Sequence, residues 1–389
     1  MFFRIMLDYD ALTDQIVAGI PEEAFISSRT IFVDPAFAGG QFLRSVARRL
    51  RIYGHSIANI RSRLFGFEDN ICYLNHPKNK STKLIAQLSV MSYEEFLNMT
   101  MQFDVAVGNP PFQGNNEVDS NRTQPKNHNL WTKFIHKCFN DLVKDDGYVA
   151  FVTPDSWMSP SNKIFQLFKE YQLLQVDLEC SKYFNVGSSF TAWVAQKSPV
   201  TKETILGNVA VNLKDFPYLP RNVEQTLSIH KKVISSSNVR MPIVGDTTCH
   251  SSKEVVALQQ CDDFSYPLLH TNAQERYSKI KSKYFDHIKV MWTLSGNYIP
   301  RIDLGVRGFT EVNQAIIAKD EEQANNILSI MNSDLYKFIV TTAKWSGFLN
   351  GKVFTMLPKL DFDKNWSNDE IYTEFGLTSE EIAIVEANI

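Results

Sequence analysis

Apolar positions follow two alternating periods through the first half of the chain. Short β-branched or aromatic runs at 30–33, 63–68, 103–108, 148–152, 173–178 and 190–195 predict strands. Between them, apolar residues at three- and four-residue spacing predict helices. Phe42, Leu43, Val46, Ala47 and Leu50 form one such stripe, stopped by Gly54. Leu130, Phe134, Ile135, Cys138, Phe139 and Leu142 form a second, and a third helix is expected over 162–171. A short helix within 11–29 would take Asp10 or Thr13 as its cap. Leu84, Ile85, Leu88, Val90 and Met91 fit a helix or a strand, and Glu94 and Glu95 suit a helix start. The polar run from Gln113 to Asn129 has no apolar period and reads as a long loop of the lid kind.

This alternation predicts an α/β fold with a parallel sheet, and the closely spaced strands at 173–178 and 190–195 add an antiparallel edge. Ser198-Pro199 marks a boundary. Beyond it the pattern turns β-rich and irregular, with proline turns at 216–220 and 241–242 and helices over 321–331 and 335–342. Two domains are therefore expected, 1–198 and a mixed α+β domain over 199–389, as suits 389 residues.

Composition adds little. An apolar fraction of 44% suits a chain with a sizeable core, and the absence of any run of about 18 apolar residues argues against a membrane span. The opening apolar stretch is broken by Asp8 and Asp10, too early for a signal peptide. Five cysteines without C-x-x-C spacing argue against a zinc site or a disulfide framework and fit a reducing cytoplasm. A net charge of −3 does not announce a nucleic-acid binder, although such an enzyme needs only a local basic face. Arg44, Arg48, Arg49, Arg51, Arg61 and Arg63 read chiefly as a solvated helix face. Tyr277, Lys279, Lys281, Lys283, Tyr284 and Lys289 interleave aromatics with cations, which suits phosphate contact with stacking or a lysine-rich solvated face.

The candidate chemistry lies at two strand exits. The strand at 103–108 runs into Asn109-Pro110-Pro111-Phe112, whose prolines fix φ twice and remove two N–H groups. Carbonyl oxygens, the Asn109 amide and the Phe112 ring then offer acceptors for an amino group and a stacking face for a planar ring. A flipped nucleobase with an exocyclic amine fits. The strand at 30–33 runs into Asp34-Pro35-Ala36-Phe37-Ala38-Gly39-Gly40-Gln41-Phe42-Leu43, where small residues let the backbone approach a ligand ahead of a helix. The strand at 63–68 ends on Glu68, placed to accept hydrogen bonds from ribose hydroxyls. It follows Gly40 by 28 residues rather than the roughly twenty of dinucleotide enzymes. That spacing and the lack of G-x-G-x-x-G count against an NAD enzyme.

Asn109-Pro110-Pro111-Phe112, with the upstream glycine loop, resembles the catalytic motif of the amino-methyltransferases that use S-adenosylmethionine, and within them the restriction–modification DNA adenine-N6 methyltransferases. The resemblance implies a Rossmann-like class I methyltransferase sheet followed by a C-terminal target-recognition domain. It implies a catalytic set of Asn109, Pro110, Pro111 and Phe112, and an S-adenosylmethionine site built from Thr13, Asp34, Pro35, Ala36, Gly39, Gly40, Phe42, Glu68 and Asn109. Phe112 would hold the target base, aided by Phe184 in the segment 183–186 and by Lys126 in the long loop. Phe184 reads equally as core packing and Lys126 as plain loop. The family's usual loop has a first glycine where this chain has Ala38. If that position demands φ > 0, alanine costs on the order of 1 kcal/mol there, or the path shifts to use Gly39. The tail over 357–382 resembles that of combined nuclease–methyltransferases, although no room is seen for their N-terminal nuclease domain.

The implied partners are double-stranded DNA and a restriction endonuclease or specificity subunit, in the cytoplasm of a bacterial or phage-infected cell; no metal is implied. Related motifs act on protein glutamine amides and on guanine N2 in RNA, and Ala38 leaves open a catalytically idle recognition subunit.

Overall fold

The computed structural model describes residues 9–112, 129–160, 162–184, 189–252, 254–345 and 347–389. They form two compact units: residues up to Trp157 with Asn162–Asp215, and Met158–Ser161 with Phe216–Ile389.

The first unit is built on a nine-stranded sheet of β1 (Phe32–Asp34), β2 (Leu64–Glu68), β3 (Gln87–Val90), β4 (Phe103–Gly108), β5 (Val143–Pro154), β6 (Tyr171–Asp177), β7 (Phe190–Pro199), β8 (Thr204–Leu206) and β9 (Val209–Val211). Their spatial order is β3-β2-β1-β4-β5-β7-β6-β8-β9. β1 to β5 are mutually parallel, in register Asp34↔Gly66 and Gly108↔Phe151 at their carboxyl ends. β7 runs antiparallel between β5 and β6, inside the sheet rather than at the expected edge. The edge itself is β9, antiparallel to β8, and the unit runs on to Asp215 rather than stopping near 198.

Local chemistry sets the limits of these strands. β1 starts only at Phe32 because Asp104 and Val105 both donate to the Ile31 carbonyl while the Ile31 N–H donates to Asp104 Oδ2 at 2.7 Å. β5 starts at Val143, ahead of the strand expected at 148–152, and carries a bulge with Asp146 at φ 62° and a register shift against β4. Ser92 caps the helix Tyr93–Asn98 through a reciprocal box with Glu95, as the paired glutamates suggested. The apolar stripe of the helix Gln41–Ile52 (Phe42, Leu43, Val46, Leu50) closes on Phe32, Leu64, Val105 and Val107 of the sheet.

The helix predicted within 11–29 is Tyr9–Ala18, so neither Asp10 nor Thr13 caps it. Thr13 lies inside the helix, fully buried, its hydroxyl donating to the Asp10 carbonyl at 3.0 Å. The arginines are not a solvated face throughout. Arg63 is buried and donates to the carbonyls of Ser27 and Thr30, and Arg49 donates to those of Val17 and Ile20.

The second unit holds two four-stranded sheets. One is ordered Ile243–Val244, Asn313–Ile317, Ile288–Thr293, Arg301–Leu304; the other Val256–Ala257, Gln274–Ser278, Tyr266–Thr271, Gly308–Phe309. Helices Glu321–Met331 and Asp334–Thr342 fall where the apolar spacing put them. Lys289 does not belong to a cationic surface. It is fully buried, directly opposite Asp303, and donates to Asp303 Oδ1 at 2.7 Å and to the carbonyls of Phe285 and His287. Lys279, Lys281 and Lys283 lie over the rings of Phe264, Phe285 and Tyr284.

Candidate functional site

β1 delivers Asp34 to the carboxyl end of the sheet, beside the end of β4. A Cβ built on Gly108 would lie 2.8 Å from Asp34 Oδ1, so only glycine lets this carboxyl lie against the strand that carries Asn109. Asp34 is buried and accepts from the Ala36 N–H at 3.1 Å. Burial pushes its carboxyl up to about 8, and the nearby charge of Glu68 adds to the shift.

The turn after Pro35 answers the question raised by Ala38. The path does not move to Gly39. Ala38 itself takes the left-handed conformation, at φ 40°, followed by Gly40 at φ 69°. Its N–H donates to Glu68 Oε2 at 3.0 Å, and its carbonyl accepts from Asn79 Nδ2 at 2.7 Å. The Gly39 carbonyl accepts from Arg44 Nη1 at 2.6 Å. Gly40 then opens the helix Gln41–Ile52. Pro35 is buried, Ala36 and Gly39 are half-buried, and Phe42 points into the core.

Glu68 ends β2, one strand away from Asp34. It is buried, its Oε1 accepts from the Asp69 N–H at 3.1 Å, and its carboxyl is pushed up to about 7, first by burial. Two buried carboxyls thus flank one glycine-bearing turn.

β4 ends in Asn109-Pro110-Pro111-Phe112. Pro110 is buried; Asn109, Pro111 and Phe112 are half-buried. Phe112 stacks on Phe190 with ring centres 5.1 Å apart and planes at 24°. Phe190 in turn packs against Phe184 at 4.7 Å. Phe184 is therefore a buried ring one step behind Phe112. Gln15 joins this region to the N-terminal helix, donating to Asp177 and accepting from the Tyr183 hydroxyl at 3.3 Å. Thr13 lies in that helix with its hydroxyl committed to Asp10. Lys126, the long loop 113–128, and Asn185 and Val186 lie outside the described residues.

The structure therefore gathers Asp34 and Glu68 around the turn that carries Ala38 and Gly40, with Gly108 and Asn109 beside Asp34. Sequence reasoning missed Phe190, Arg44 and Asn79. Phe190 had been read only as the start of a strand, and Arg44 as one arginine of a surface run. Asn79 sits in a polar stretch with no period to mark it.

Residues 44–190 match the family model of the Eco57I restriction-modification methylase. Over 57 residues the chain is 35% identical to the modification methylase CviBIII of Paramecium bursaria Chlorella virus NC1A, a stretch covering 14% of this chain and 15% of that protein. The ATP-dependent Type ISP restriction-modification enzyme LlaBIII, solved bound to DNA, is similar over 100% of this chain and 39% of its own, with a TM-score of 0.56 and 11% identity. A nuclease-deletion mutant of the Type ISP enzyme LlaGI, in complex with a DNA substrate mimic, is similar over 86% of this chain and 52% of its own, with a TM-score of 0.50 and 10% identity. These two likenesses show the fold. The chain spans between about a seventh and half of the length of these relatives. Residues 44–190 are thus similar to a restriction-modification methylase, and the chain shares its fold with the two Type ISP enzymes.

Proposed function

We propose that this chain is an S-adenosylmethionine-dependent methyltransferase that modifies adenine N6 in double-stranded DNA at chosen sequences. One observation carries the reading. The acceptor motif 109–112 and the acid-flanked glycine turn 34–40 leave the same ends of adjacent parallel strands, with Asp34 pressed against Gly108.

The residues present fit the cofactor. Glu68, buried at the end of β2, keeps lone pairs for ribose hydroxyls beyond those used on the Ala38 and Asp69 N–H groups. Asp34 offers a carboxyl to a cationic ligand, and a side chain at position 40 would meet Thr82 Oγ1 at 2.5 Å, so the turn has room only for glycine. Ala38, the residue that suggested a decayed loop, holds the left-handed turn with both backbone groups bonded. That favours a binding-competent site over an idle subunit.

When bound, the cofactor supplies an activated methyl, so the protein's task is orientation and charge stabilisation. Phe112, backed by Phe190, offers a stacking face to a flipped base. The Asn109 amide oxygen and the Pro110 carbonyl accept from its exocyclic amine. They draw the nitrogen towards tetrahedral geometry and stabilise positive charge growing on it, and the proton is lost to solvent after transfer.

Residues 216–389 would choose the DNA sequence. The likeness to LlaBIII and LlaGI, both solved with DNA or a mimic of it, supports DNA as substrate. An endonuclease or specificity partner belongs to the same proposal. Transfer of labelled methyl from S-adenosylmethionine to duplex DNA, RNA and protein offered in parallel tests it, with label expected in DNA alone.

A further inference from the structure

The segment 73–82 braces the glycine turn. Asn79 is fully buried and spends its amide N–H groups on two carbonyls, Ala38 at 2.7 Å and Tyr73 at 2.8 Å. Its Oδ1, also buried, accepts no hydrogen bond among the described residues. Arg44 Nη1 joins the Gly39 carbonyl to Thr82 Oγ1, at 2.6 and 2.9 Å. A Cβ on Gly40 would stand 2.5 Å from Thr82 Oγ1 and 2.9 Å from Asn79 Oδ1, so the segment lies directly on that glycine.

The consequence falls on Ala38. Its φ of 40° is a conformation that glycine enters freely and alanine does not. Rotation about N–Cα moves the amide on one side of residue 38, and rotation about Cα–C moves the carbonyl on the other. Glu68 holds the N–H and Asn79 holds the carbonyl, so both rotations are fixed from outside. Arg44 repeats the device on the next carbonyl.

We infer that Asn79, seconded by Arg44, is a positioning residue for the cofactor: it clamps Ala38 into the left-handed turn that a glycine would reach unaided. The inference rests on the cofactor reading above. It needs a donor at position 79, because a carboxylate of the same shape would face two carbonyl oxygens.

Calorimetric titration with S-adenosylmethionine tests it. Asn79→Asp should bind about tenfold more weakly or worse, the scale of a lost buried hydrogen bond. Made in an Ala38→Gly background, the same substitution should cost much less, because glycine enters the turn without the clamp. A role confined to general stability would make the loss equal in both backgrounds. Arg44→Met, at a half-buried helix position, is the second variant should Asn79→Asp fold poorly; a loss of about threefold, again smaller in the Ala38→Gly background, is expected. Parental affinity in both variants, or an equal loss in both backgrounds, overturns the clamp. If the parent protein binds no S-adenosylmethionine, the cofactor reading falls instead. Amide exchange then decides the clamp alone: faster exchange at residues 38–40 in the variants supports it, and unchanged exchange sinks it.

Discussion

Glu68 Oε2 accepts a 3.0 Å hydrogen bond from the backbone N–H of Ala38, so the acid that ends β2 also shapes the turn that follows β1. On the proposed cofactor reading, one carboxyl would serve both ribose contact and turn geometry. Glu68→Ala should cost about 3 kcal/mol or more of S-adenosylmethionine binding, roughly a hundredfold, while Glu68→Gln should lose less. Equal affinity of parent and Glu68→Ala in calorimetry would remove Glu68 from the site.

The two buried carboxyls give a pH dependence whose sign follows from linkage. Asp34 is raised from 3.8 to about 8 and Glu68 from 4.5 to about 7. Between those limits the native state holds protons that the unfolded chain has released. Stability should therefore fall as pH rises from about 4 to about 8. Asp34→Asn should flatten that slope. Urea unfolding of both proteins at pH 5, 6, 7 and 8 checks it, and parallel slopes would show that Asp34 does not titrate in this window.

Asn109→Ala should leave cofactor binding intact and slow methyl transfer by about a hundredfold or more, the scale of one lost transition-state partner. Phe112→Ala should weaken capture of the flipped base by about 1–3 kcal/mol. Phe190→Leu keeps an apolar side chain in the core but removes the ring behind Phe112. It should raise the KM for DNA without changing S-adenosylmethionine affinity. A KM equal to the parent's would leave Phe190 as packing only.

In the second unit, Lys289→Met should destabilise the protein by about 3–5 kcal/mol, because it strands the buried Asp303 carboxylate opposite it. Asp303 also accepts from the N–H groups of Gly305, Val306 and Arg307, so its charge is held in place rather than released to water. Denaturant unfolding measures the loss; one below about 1 kcal/mol would mean that the pair contributes as little as a surface ion pair.

Much of this was legible in the sequence, and the exceptions have physical causes. Strong periods and strand-ending motifs placed β1, β2, β4 and the helices Glu321–Met331 and Asp334–Thr342, since packing followed local pattern there. The helix Val223–Ser235 escaped because its buried face carries Thr226 and His230, which break the apolar stripe. His230 is satisfied there by the Tyr218 and Thr342 hydroxyls, both at 2.8 Å. β8 and β9 are three residues each, too short for periodicity to mark. At the candidate site, the positions of Asp34, Glu68 and the 109–112 motif were readable because each sits at a strand end. Asn79 was not, because its role arises from contact with a turn 41 residues earlier. Thr13 was placed by family position, and its hydroxyl turned out to serve its own helix.

The proposed reaction is methyl transfer to adenine N6 of DNA. Plasmid DNA incubated with the purified protein and S-adenosylmethionine, digested to nucleosides and analysed by mass spectrometry, tests it directly. N6-methyldeoxyadenosine is expected, formed about a hundredfold more slowly or worse when Asn109→Ala replaces the parent. N4-methyldeoxycytidine would keep the fold and overturn the target, and DNA with no added methyl, beside methylated RNA or protein, would contradict the account.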